Sequence, residues 1–236
     1  MTANDAAPPR RSTHTWGTPG NHWIYDHWGT GGRPVVLLHS LLFDRRVWWP
    51  VAADLATHCT VIAPDLPGHG DTPTRAILAP AQLAAEIADL VHSLELRRAP
   101  IVVGHGTSAH IAAAFASSYA THALVTADKL DPCRVTTAEQ FLAEVRPDLV
   151  PSVYRPYAIP HPGPALFRAY QAGHADAAAP LLPAGLPHVV VTSDCVAVLA
   201  GEAGARDPRF PAAARLPQLN DPGRFAADLR ALLQPH

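Results

Sequence analysis

The stretch PIVVGHGTSAHIAAAFA, residues 100–116, decides how the rest of the chain is read. Pro100–Gly104 is a short continuous apolar run, the pattern of a strand covered on both faces. An alanine-rich helix is expected over Thr107–Tyr119. Between them, Gly104-His105-Gly106-Thr107-Ser108 leaves room only for a sharp turn, and the residue at its tip, Gly106, has no side chain.

Outward from this unit, short apolar runs and helical spacings alternate. Strands are expected at His22–Trp28, Pro34–His39, Cys59–Pro64, Ala123–Ala127 and His188–Thr192. Helices are expected at Arg46–Thr57, Pro80–Leu94 and Asp221–Leu233, the last opening on Asp221-Pro222 as N-cap and first-turn proline. Such alternation predicts an α/β fold with a mostly parallel, doubly wound sheet. The expected organisation is a polar N-terminal arm over residues 1–21, a core over 22–129 and 186–236, and an inserted segment over 130–185. That segment is rich in proline and alanine and too long for an ordinary connection, so it reads as a small helical cap or lid. Two short helices are expected in it, Val135–Val145 and Ala165–Ala175. Phe141, Tyr154, Tyr157 and Phe167 are its candidate pocket-lining residues, although packing the cap onto the core explains each of them more simply.

Composition excludes several functions. Of 236 residues, 48% are apolar and 16% charged, as in an ordinary globular protein, and the net charge of −2 gives no reason to expect nucleic acid or an anionic membrane as partner. No apolar run is long enough to span a bilayer. Three cysteines make no disulfide framework, so a cytoplasmic protein is expected. Fourteen histidines are many, but none shows metal-ligand spacing; no metal or cofactor is expected. A small molecule is the expected partner, and the oligomeric state stays open.

PVVLLHSLLFDRRVWWPVAADLATHCTVIAPDLPGHGDT, followed by the turn at Gly104–Ser108, resembles the N-terminal half of α/β-hydrolase-fold enzymes. They have a strand ending in His-Gly, here His39-Ser40; a tryptophan near the next helix, here Trp48; and a strand ending in Asp-x-x-Gly-x-Gly, here Asp65–Gly70. Near the C-terminus, Leu216–Phe225 looks like the family's segment just after its catalytic histidine. The resemblance implies the α/β-hydrolase fold and a nucleophile elbow of the form G-x-S-x-G. On that motif Gly106 falls on the nucleophile, Thr107 supplies the following N–H, and Ser108 falls on the final glycine. Arg215 falls on the histidine and cannot serve as a general base. The acid normally lies just beyond the last strand, where Asp194 is close, with Asp128 and Asp131 after the sixth strand as alternatives.

A glycine carries no nucleophilic atom, so covalent catalysis at position 106 is excluded. The backbone of an oxyanion hole is independent of side chains, however, and Thr107 N–H with an amide of the His39-Ser40-Leu41-Leu42 turn would supply one. His39 is a candidate proton shuttle or else a buried, hydrogen-bonded histidine. His105 should point away from the pocket. Ser108 suits close packing, Arg215 suits either a bound carboxylate or the surface, and Arg45 and Arg46 read as solvated. Cys133 and Cys195, just past strand ends, have no expected histidine beside them. The leading expectation is therefore a non-hydrolytic enzyme, of cyclase, lyase or isomerase type, that acts on a hydrophobic small molecule through the oxyanion hole. One alternative is a pseudoenzyme binding a small molecule or protein; another is a hydrolase with its nucleophile moved to Ser108 or a cysteine. The alanine, arginine and proline bias fits a GC-rich bacterial genome and specialised metabolism.

Overall fold

The apolar runs become the centre of one sheet. The computed structural model describes residues 10–161, 163–193, 198–199 and 213–233. In it β1 (Ser12–Thr18) and β2 (Asn21–Trp28) form an antiparallel hairpin. Strands β3 (Pro34–Leu38), β4 (Thr60–Pro64), β5 (Ile101–His105), β6 (Ala123–Ala127) and β7 (His188–Val191) are parallel, and β8 (Val198–Leu199) pairs antiparallel with β7. The spatial order is β1-β2-β4-β3-β5-β6-β7-β8. Every residue of β3 to β6 is buried, which is why these strands carry no polar alternation.

Seven α-helices complete the described chain: α1 (Trp49–Leu55), α2 (Pro80–Ser93), α3 (Ser108–Ser118), α4 (Ala138–Val145), α5 (Pro164–Ala175), α6 (Pro217–Asn220) and α7 (Pro222–Ala231). Many prolines are explained by helix starts, since α1, α2, α5, α6 and α7 each hold one in the first turn, where no N–H is needed. Side chains cap two starts: Thr137 accepts from Gln140 N at 3.2 Å for α4, and Asp221 from Arg224 N at 2.9 Å for α7.

One expectation changes. Ser12–Thr18, assigned to a polar arm, pairs with β2 from Ser12↔His27 to Thr18↔Asn21. Its side chains are nearly all exposed, so this edge strand offers no apolar run to recognise. Residues 1–9 lie outside the described residues. Among those described, no helix is long and apolar enough to cross a membrane.

Two features position the site. The chain leaves β3 for β4 on one side and returns to β5 on the other, a topological switch point where such sheets hold their ligands. Register pairs Leu38 with Gly104, so the turns after β3 and β5 emerge side by side. Gly104 lets α3 sit close: a Cβ there would lie 2.7 Å from both Ala109 Cα and Ala112 Cβ.

Candidate functional site

The elbow forms. Gly106 has φ +59°, the left-handed conformation that glycine adopts without strain, and it is buried. What lies over it is the turn after β3. A Cβ built on Gly106 would lie 2.8 Å from Ser40 Cβ and closer still to Ser40 Oγ, so the serine hydroxyl occupies the space a side chain at the tip would need.

The neighbouring amides are engaged as well. Thr107 N–H donates to Ser40 Oγ at 3.4 Å, and Leu41 N–H to Thr107 Oγ1 at 2.9 Å. Leu42, itself at φ +67°, donates its N–H to His69 Nε2 at 3.0 Å. The donors expected to form an oxyanion hole are therefore satisfied within the chain, and Ser40, Leu41, Leu42 and Thr107 are all buried. The backbone is in place, but two facing hydroxyls and one imidazole accept its N–H groups.

Three buried histidines surround the turn, each with both ring nitrogens engaged. His39 Nδ1 donates to Ser40 O at 2.9 Å, and its Nε2 accepts from Leu66 N at 2.8 Å. His69 Nδ1 faces the carbonyls of Leu66 and Pro67 at 3.3 and 3.2 Å, which fixes the tautomer that leaves Nε2 to accept from Leu42. His105 points away from the elbow tip, with Nε2 donating to Arg215 O at 2.8 Å and Nδ1 3.4 Å from the Gln218 amide. Burial pushes His69 down to about 3 and His105 to about 4, and lowers His39. Burial thus favours the neutral form of all three, and each ring nitrogen faces a partner within the chain.

The other candidates are scattered. Ser108 Oγ bonds to Leu38 O at 2.8 Å and His105 O at 2.9 Å, and to no imidazole among the described residues. Cys133 is exposed, with Sγ 3.7 Å from Gln171 O. Asp128 accepts from both the N–H and the hydroxyl of Ser193. Asp131 caps the turn at Cys133 N, 2.9 Å away. Asp194 and Cys195 lie outside the described residues. Phe141 and Phe167 pack on each other, centroids 5.8 Å apart, joining α4 to α5. Tyr154 and Tyr157 line a surface groove with Trp28, Trp49 and Arg11, and no elbow residue takes part in it. Arg45, read as solvated, is only 12% exposed and pairs with Asp65, Asp26 and Asp71, because the carboxylates of β2 and the β4 turn converge on it. Arg46 binds Asp44.

His69 was not singled out by the sequence reading. It sits in the quoted Asp65–Gly70 segment, and its signal would have been the need for an acceptor opposite the Leu42 amide. Among the described residues no three His, Cys, Asp or Glu side chains form a group that could hold a metal.

The comparisons agree with this architecture. The chain belongs to the alpha/beta hydrolase family, whose model matches residues 35–235. Uncharacterized proteins of Mycobacterium tuberculosis and Mycobacterium bovis are 39% identical over 90 residues, 37% of this chain; the match spans 26% of their length. Among solved structures, the N-acyl homoserine lactonase AidH, complexed with N-butanoyl homoserine, is 17% identical with a TM-score of 0.71, covering 95% of this chain and 99% of that one. An esterase from Thermogutta terrifontis is 23% identical with a TM-score of 0.67, covering 95% and 98%. A serine-to-glycine variant of AidH, complexed with N-hexanoyl homoserine lactone, is 17% identical with a TM-score of 0.68, covering 94% and 97%. At these identities the likeness is one of fold.

Proposed function

We propose that this chain is a catalytically silent member of its family, a small-molecule-binding protein whose elbow has become a packed joint. One observation carries the reading: the two N–H groups that would hold an oxyanion donate to Thr107 Oγ1 and Ser40 Oγ. Stabilising a developing oxyanion requires donors aimed at the position it will occupy. Here those donors already have partners, which weighs equally against hydrolysis and against a non-covalent cyclase, lyase or isomerase step at this spot. A nucleophile moved to Ser108 has no imidazole among its hydrogen-bond partners, since its hydroxyl bonds to Leu38 O and His105 O, and His39 and His105 have both ring nitrogens engaged.

Residues 130–185 act in this reading as a cap. Support comes from Tyr170 OH, which donates to Pro67 O at 2.9 Å, and from His161 N, which donates to Leu42 O at 2.8 Å. These bonds tie the segment to the turns after β3 and β4. That the serine-to-glycine variant of the lactonase holds a lactone gives an instance of this fold retaining a ligand without that serine.

Treatment with a fluorophosphonate probe, alongside turnover of p-nitrophenyl butyrate, tests the reading. No label and no burst above background are expected. Stoichiometric labelling of Ser40 or Ser108, abolished by Ser40→Ala or Ser108→Ala, would overturn it.

A further inference from the structure

Arg215 stands where the resemblance places a histidine, and its backbone is pinned from both sides. Its N–H donates to Val145 O at 2.7 Å, and its carbonyl accepts from His105 Nε2 at 2.8 Å. Its guanidinium is held far less tightly: Nε is 4.0 Å from Asp128 and NH1 is 3.9 Å from Glu144, both beyond hydrogen-bond reach. Among the described residues this side chain makes no hydrogen bond. It faces a cavity of about 470 Å³ at the carboxyl end of β6, lined also by His110, Lys129, Asp131, Arg134 and Glu144.

The lining has an excess of positive charge. Lys129 is exposed and takes no ion-pair partner among the described residues, while Arg134 is 4.0 Å from Asp131, whose Oδ1 is already used at Cys133 N. His110 Nε2 is buried without a hydrogen-bond partner. A guanidinium on a pinned backbone, with unused donors, matches a carboxylate in fork geometry, and a nearby ammonium adds attraction without demanding orientation. We propose that this cavity binds a small polar organic acid, with the carboxylate on Arg215 and Lys129. The proposal rests on the binding function argued above and gives that function a ligand class.

The test is an NMR titration of the full chain with succinate at low ionic strength. Amide shifts are expected to cluster at Lys129–Arg134 and Arg215. Arg215→Gln should weaken binding about tenfold and Lys129→Gln about threefold, with Arg215→Lys in between, since it keeps the charge and loses the fork. An unchanged thermal midpoint shows that Arg215→Gln folds; Lys129→Gln, at an exposed position, serves if it does not. Equal shifts with neutral succinamide, or equal affinity in both Gln variants, would overturn the proposal. So would tighter binding of inorganic phosphate, which would make the ligand a phosphate instead. Fluorophosphonate labelling of the elbow with succinate binding intact would sink the silent-elbow reading alone, and unlabelled protein that ignores succinate would sink this site alone.

Discussion

At the carboxyl end of β5, three successive main-chain turns close on one another, with every N–H from Leu41, Leu42 and Thr107 matched to an acceptor. One strand further on, beyond β6, charged side chains stand about 4 Å apart around open space. The first region has the satisfied polar network expected of a rigid core, the second the loosely paired charges expected where something else is to bind. The contrast teaches that a hydrolase fold can fill its usual working position and leave its electrostatic opportunity next door.

Acid is the strongest means of breaking that contrast. His69 and His105 are held near 3 and 4 in the folded chain, below the ordinary histidine value. The unfolded chain therefore takes up more protons once pH falls below about 6.5, so stability is full above that pH and declines toward pH 4, by about 2–3 kcal/mol for each histidine. Urea midpoints measured between pH 7 and 4 should show this, with a shallower slope in His105→Gln; a flat profile would mean the elbow histidines are not closed off.

Next in size is Gly106→Ser, which places a side chain at positive φ against Ser40 and should cost about 2–4 kcal/mol in urea unfolding. Adding Ser40→Gly should return the part due to overlap, measured as coupling in a double-mutant cycle. A single variant as stable as the parent would show that Ser40 does not fill the tip. Thr107→Val keeps the volume but removes the acceptor for Leu41 N–H, and a loss of about 1–3 kcal/mol is expected. The smallest change belongs to the open side: Thr137→Ala, at the cap of α4, should cost about 1 kcal/mol in thermal unfolding. A loss there larger than that of Thr107→Val would mean the cavity wall is built as rigidly as the elbow.

Much of this architecture is legible in the sequence because burial on both faces leaves an unmistakable mark: Pro34–His39, Pro100–Gly104 and Ala123–Ala127 read as strands from their apolar runs alone, and β3, β5 and β6 lie there to within a residue. The edge strand Ser12–Thr18 leaves no such mark, since pairing through main-chain groups makes no demand on exposed side chains. At the site, the absence of a nucleophile follows directly from Gly106. The filling of the vacated space by Ser40 does not, because it depends on two turns 66 residues apart meeting at the β3–β5 register. The signal in the sequence is the serine at position 40, where the resembling family has a glycine after the histidine. The ion pairs of Arg45 are hidden for a similar reason: Asp26 lies in β2 and Asp65 just past β4, far apart in the chain.

The meeting of Ser40 and Gly106 also gives the molecule a direction in sequence space. A serine at both positions collides and a glycine at both leaves a void, so exchanging the two residues runs through an intermediate worse than either end. The two positions therefore behave as one unit, and a side chain at the tip is tolerated only with its counterpart trimmed at position 40.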